Sequence, residues 1–218
     1  GAFRLMRLVG RIDDDDVNLQ VLRYGLRVEF PDEVLAHAER SAEQQPGGEG
    51  REDLSHLEVL SIDSPRTREI DDALSLERVR DGFRLGVHIA DVSFYVEPGS
   101  ALDVEAFKRG NSVYLPGMVI PMLPEVLSND VCSLKPNRRR LAHSVFMEFD
   151  RKGKMLKWEI ADTIIKSHAK LAYEEVQEFF DGAAPSSKLK RVADNLRYAR
   201  ELANLLTKQR FSNGSLDF

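Results

Sequence analysis

"SIDSPRTREIDD", residues 61–72, sets four carboxylates within ten positions: Asp63, Glu69, Asp71 and Asp72. The flanks read as strands. "LEVLSID" runs up to Asp63, and "ALSLERV" (73–79) alternates apolar and polar residues. In a regular strand neighbouring side chains point to opposite faces, so Asp71 and Asp72 share a ligand only if the backbone bends near Ile70. Pro65 makes 64–69 a loop. The acids are therefore expected at the mouth of a sheet, where one strand ends and another begins. Crowded, partly desolvated carboxylates raise one another's pKa. Magnesium, a hard dication with oxygen ligands, relieves that repulsion. Two such ions roughly 4 Å apart suit phosphodiester cleavage. On spacing alone an acidic loop neutralised by Arg66 and Arg68 is an equal reading. An EF-hand calcium loop is not matched, because the acids do not alternate and no glycine stands mid-loop.

Outward from this stretch, "FRLGVHIADVSFYV" (83–96) reads as the strand returning from an Asp81-Gly82 turn, with Phe83, Leu85, Val87 and Ile89 on one face. "AHSVFMEFD" (142–150) and "MLKWEIADTIIKS" (155–167) predict a second hairpin across "RKGK". "SALD" (100–103) resembles a capping box opening a short helix to about Arg109. Residues 111–137 are proline-rich and read as irregular. "YEEVQEFFDG" predicts a helix ending at Gly182, and 186–210 one long helix with its stripe at Leu189, Val192, Leu196, Ala199, Ala203 and Leu206.

Upstream, residues 1–30 read as short strands, with Asp13 to Asp16 as a solvated turn rather than a metal site. "PDEVLAHAERSAEQQ" (31–45) reads as a helix with Pro31 in its first turn. "PGGEGRED" (46–53) is a linker. Strands and helices interleave without a regular βαβ repeat, which predicts a mixed α/β (α+β) domain.

Composition narrows the function classes. The 218 residues suffice for a sizeable core. No apolar run reaches the roughly 18–20 residues of a membrane span, and the N-terminus carries no signal-peptide pattern. One cysteine, Cys132, excludes an internal disulfide framework and a multi-cysteine zinc site. It reads as a packing residue and fits a cytoplasmic location. The net charge is −5, so no global basicity points to nucleic acid. The charge is uneven: residues 1–60 sum to −6, whereas 186–210 sum to +5, a basic helix compatible with a polyanion or with plain solvation.

Several separate stretches, in order, resemble the ribonuclease II / ribonuclease R (RNB) family of 3′→5′ exoribonucleases. "IDSPRTREIDDALSLE" is similar to its acidic signature and "LGVHIADVSFYV" to the strand that follows. "RGNSVYLPGMVIPMLPEVLSNDVCSLKPNRRRLAHSVFMEFD" is similar to its tyrosine-bearing loop, and "SHAKLAYEEV" to a later tyrosine segment. "LRYGLRVEFPDEVLAHA" resembles the passage from an upstream cold-shock-like barrel. The resemblance implies an RNB-type catalytic domain of mixed sheets flanked by helices. It implies a barrel end at 1–30, a helix and linker at 31–53, and the N-terminal part of the catalytic domain at 54–218.

The implied activity is processive hydrolysis of single-stranded RNA to nucleoside 5′-monophosphates, with magnesium or in its place manganese. Asp63, Asp71 and Asp72 match the family's metal-site aspartates. Glu69 stands where the family usually has a fourth aspartate, and its extra methylene moves the carboxylate out by about 1.5 Å, toward a water-mediated role. Tyr114 matches a base-stacking tyrosine, a platform that accepts any base. Tyr173 matches a second tyrosine near the terminal nucleotides. His88 reads as structural, and Asp91 as a partner that orients a ligand or water. Arg138, Arg139 and Arg140 read equally as phosphate contacts or as a solvated loop. A monomer is expected, with no membrane partner.

The family's domain continues past "NGSLDF" with an "SPIRxYxD"-like segment whose arginine stabilises phosphate charge. Nothing in these residues matches it, nor the C-terminal S1 barrel. A non-catalytic RNA-binding or scaffold protein on an incomplete RNB domain is therefore the alternative to the enzyme. A protein–protein module using the acidic N-terminal segment is a third reading.

Overall fold

A computed structural model describes residues 17–44 and 50–215. In chain order the elements are α1 (Val17–Arg23), α2 (Asp32–Ala42), β1 (Glu52–Asp53), β2 (Val59–Asp63), β3 (Asp72–Val79) and β4 (Gly82–Ala90). There follow a 3-10 turn (Val92–Phe94), α3 (Ala101–Arg109), β5 (Val113–Leu115), β6 (Met118–Ile120) and a π-helical turn (Leu127–Val131). The chain then forms β7 (Arg139–Asp150), β8 (Met155–Ala172), α4 (Tyr173–Phe180), α5 (Ser187–Arg191) and α6 (Ala193–Ser212). It divides into two compact units, one built from residues up to Glu43 with Tyr95–Ser128, the other from Gln44–Phe94 with Asn129 onward.

In the first unit, α2 starts after Pro31, whose fixed φ suits a helix start. Half of the expected capping box of α3 forms: the N-cap Ser100 Oγ accepts from the Asp103 amide at 3.3 Å, whereas the Asp103 carboxylate accepts from the Gly99 amide at 2.8 Å and the Ser100 amide bonds the Glu97 carbonyl instead. Glu105 of α3 is buried and takes both nitrogens of a bidentate Arg27 at 2.8 Å and Arg109 Nε at 3.0 Å. Two expectations are corrected here. Residues 17–23 are helix, not strand, with Val17, Gln20 and Val21 half-buried at helical spacing. The stretch 111–137 is not wholly irregular: β5 and β6 pair as a hairpin around Gly117, whose φ of 74° is one that glycine adopts without strain. The Asp13–Asp16 turn, the first half of the 46–53 linker and the end of "NGSLDF" lie outside the described residues; the linker's end is not structureless, since Glu52–Asp53 form β1 against β8.

The second unit is a sheet that closes on itself. β2 pairs with β3, β3 with β4, β4 with β7, β7 with β8, and β8 returns to β2. Closure depends on the 18-residue β8. Its first part runs antiparallel to β7 as far as Lys166, and its last part runs parallel to β2 from Ser167 to Ala172. The register shifts between Val59 and Leu60 where β8 changes partner. The Val59 amide at that irregularity donates to His168 Nδ1 at 3.3 Å. Burial holds the His168 pKa below its ordinary value, which suits a neutral acceptor.

Both expected hairpins form, with two corrections. Val79 pairs with Gly82, so the β3–β4 turn residues are Arg80 and Asp81. Gly82 is already in the ladder, where a Cβ would lie 1.8 Å from the Phe149 carbonyl oxygen. The second correction concerns β4: Phe83 and Leu85 pack with α6, but Ile89 at the other end of that face is exposed. The enclosed side carries Gly86, His88 and Ala90 instead. There a polar chain runs through the interior: Ser75 Oγ to His88 Nε2 at 3.0 Å, His88 Nδ1 to Ser144 Oγ at 2.7 Å, and Ser144 Oγ to Thr163 Oγ1 at 2.6 Å. His88 is thus structural. The Gly86 position leaves room for it, because a Cβ would stand 2.4 Å from Ser75 Oγ and 3.0 Å from His88 Nε2.

Apolar packing completes the unit. Val59, Ile70, Ala73, Ala90, Leu134, Phe146 and Ile165 form one cluster, and Leu60, Leu171, Val176, Leu189 and Leu196 another. The long helix expected over 186–210 breaks at Val192 into α5 and α6. The stripe shifts with the break: Leu202 is buried and Ala203 exposed.

Candidate active site

β2 ends at Asp63 and β3 begins at Asp72, so both ends of the acidic stretch are fixed by the sheet. Between them the Thr67 amide closes a turn on the Ser64 carbonyl at 3.1 Å. Residues 64–71 lie outside the strands, and burial draws Ile70 inward. Ile70 is only 2% exposed, packed in the core between two acids. Its amide donates to Ser133 Oγ at 3.1 Å, and its carbonyl accepts from the Leu134 amide at 2.9 Å. Ser133 Oγ donates in turn to the Arg68 carbonyl at 2.8 Å, and the Ala90 amide bonds the Asp71 carbonyl at 2.9 Å. With Ile70 drawn inward, Asp71 and Asp72 are left exposed.

The acids sense one another. The Asp63 carboxyl is pushed above the usual range by burial and by the Asp72 carboxylate, against an opposing pull from Lys170. Asp71 is raised by loss of part of its water shell, then by Glu69, Asp72 and Asp63. The four acids therefore share one negative field at the sheet mouth. Among the described residues, no three His, Cys, Asp or Glu side chains converge as a preformed metal cage. The donor chemistry nevertheless fits a hard dication: the groups are anionic, oxygen-only and mutually repelling.

Lys170, which the sequence reading did not single out, closes the far side of the loop. It lies opposite Ser61 in the β2–β8 register, two residues before Ala172 faces Asp63. Its Nζ donates to the Pro65 carbonyl at 3.3 Å and to the Thr67 carbonyl. Nothing in "SHAKLAYEEV" marks this lysine, because the parallel pairing that brings it to residue 65 spans more than a hundred positions.

The remaining candidates are distributed as follows. Tyr173 opens α4 directly after Ala172, the partner of Asp63, and is 60% exposed. Tyr114 lies on β5 of the other unit and is 67% exposed. Asp91 is engaged elsewhere than the acid cluster: it accepts from Arg51 NH2 at 2.5 Å, Ser93 Oγ at 2.6 Å and the Phe94 amide at 3.1 Å, with His143 Nε2 at 3.1 Å. Burial works to raise its pKa, but these partners hold it below the ordinary value. Arg140 bonds the Ser133 and Asp130 carbonyls at 3.0 and 3.1 Å, and Arg139 pairs with Asp53 at 2.9 Å. Burial pushes the Cys132 thiol up to about 12, as for a packing residue.

The RNB domain profile matches residues 51–218, which take in the closed sheet and the acidic stretch at its mouth. The chain belongs to the RNB domain family. Ribonuclease R of Thermotoga maritima is 40% identical over 220 residues, covering 98% of this chain and 31% of the relative. The structure of Mycoplasma genitalium RNase R with ribose-methylated single-stranded RNA matches with a TM-score of 0.87 at 31% identity, over 94% of this chain and 33% of that one. The same enzyme with double-stranded RNA matches at 0.88, again at 31% identity, over 94% and 37%. The chain thus spans about a third of the length of the relatives it matches.

Proposed function

We propose that this chain carries the metal-binding half of a 3′→5′ exoribonuclease site that hydrolyses single-stranded RNA processively to nucleoside 5′-monophosphates. The observation that carries the reading is the set of electrostatically coupled carboxylates held around Ile70 at the sheet mouth. Asp63, Asp71 and Asp72 are the residues to hold magnesium or manganese, with Glu69 beside Asp71. A dication there supplies charge stabilisation for phosphodiester hydrolysis. Tyr173, exposed after the strand that pairs with Asp63, suits contact with a terminal nucleotide. Tyr114 offers an exposed face for base stacking. RNA as ligand is supported by the RNA complexes of the Mycoplasma genitalium relative.

The test is incubation of 5′-labelled single-stranded RNA and magnesium with the chain and with Asp72→Asn. A shortening ladder that the substitution abolishes is the expected result. Retarded but intact RNA supports the RNA-binding alternative. RNA neither cut nor retarded by the chain, nor by a longer polypeptide carrying the rest of the family's domain, overturns the reading.

A further inference from the structure

The loop from Ser64 to Ile70 is held at two places. Near its C-terminal end Ser133 Oγ takes the Arg68 carbonyl and the Ile70 amide. Near its N-terminal end the carbonyls of Pro65 and Thr67 both accept from Lys170 Nζ. Pro65 and Arg66 are exposed, and neither is among the buried residues of the apolar clusters described above. We infer that Lys170 is a positioning residue, whose Nζ, gathering the Pro65 and Thr67 carbonyls, sets the loop that carries Asp63 at one end and Asp71 at the other. The role rests on the reading of those carboxylates as cation ligands.

Three features make the position suited to a lysine. The β2–β8 register places residue 170 beside Ser61, and side chains on neighbouring strands in register leave the sheet on the same side. Asp63, two residues after Ser61, repeats that direction. The ammonium offers three donors on a flexible stem, so one side chain can satisfy two carbonyls at different heights. Its charge opposes the acids across the loop without being a ligand, since it donates and does not accept. The main chain of Lys170 is itself held, because its carbonyl accepts from Lys188 Nζ at 3.2 Å, and Lys188 pairs with Glu175 at 2.7 Å. The anchor of the loop is thereby tied to α4 and α5.

The experiment compares the chain with Lys170→Met and Lys170→Arg by two readouts: amide hydrogen exchange over residues 64–69, and Mn2+ affinity from electron paramagnetic resonance. Lys170→Met is expected to speed exchange in this loop by about fivefold, with β7 and β8 still protected. It is expected to weaken Mn2+ binding by about tenfold, the usual effect of losing a group that orients ligands. Lys170→Arg, which retains donors within reach, is expected to restore both. Lys170→Met with unchanged exchange and unchanged Mn2+ affinity overturns the inference. So does faster exchange with full Mn2+ affinity, which marks a merely structural clamp. A parent chain with no Mn2+ affinity overturns the metal-site reading itself, and with it the role assigned to Lys170. Only that last outcome is seen in the parent, which separates the two failures.

Discussion

A single buried imidazole illustrates how residues inside the closed sheet are constrained. His88 is fully buried and bonded at both nitrogens to serine hydroxyls. Its neighbours are neutral, so burial alone holds its pKa down, to about 4 against an ordinary 6.5. The nuclear magnetic resonance signals of this ring are therefore expected to stay unmoved from pH 8 down to about 5; a midpoint near the ordinary value contradicts the network. Gly86 is the complementary case. Gly86→Ala would push its Cβ to 2.4 Å from Ser75 Oγ, so the hydroxyl or the strand must shift. The expected loss of stability is about 1–3 kcal/mol, read from urea unfolding. A glycine inside a strand can mark a close approach, a signal the sequence reading did not use. What approached it, a histidine held by serines from two other strands, was not legible locally.

At the scale of elements, the C-terminal end of the acidic loop is shaped by the segment 133–134. Ser133→Ala removes the acceptor of the buried Ile70 amide and the donor to the Arg68 carbonyl together. Leaving that amide unsatisfied is expected to cost about 1–3 kcal/mol in urea unfolding, and to weaken Mn2+ binding because Asp71 follows Ile70 directly. The strands flanking the loop were readable, since "LEVLSID" is a short apolar-rich run, "ALSLERV" alternates, and the acids sit at their junction. The break at Val192 was not: Leu189, Val192 and Leu196 keep helical spacing across it, and all three are buried. The helix at 17–23 was missed because a short apolar run fits strand and helix patterns alike.

For the whole molecule, His88 couples local structure to global stability. Its folded pKa lies below the unfolded one, so the unfolded chain takes up a proton first as the pH falls below about 6.5. The stability attached to His88 is complete above that pH and is lost as the pH falls toward 4, by about 3 kcal/mol at most. Urea midpoints measured from pH 7 down to 5 check the sign. No described helix is long and apolar enough to cross a membrane. The acidic stretch, the two hairpins, the α3 cap and the RNB resemblance were determined by the sequence itself, because each depends on neighbours within a few residues or on a motif quoted whole. The closure of the sheet through β8, the inward turn of Ile70, the polar chain around His88 and the reach of Lys170 to residues 65 and 67 were decided only by the tertiary structure. Each requires strands far apart in the chain to pair in one register, and local periodicity carries no information about that partner.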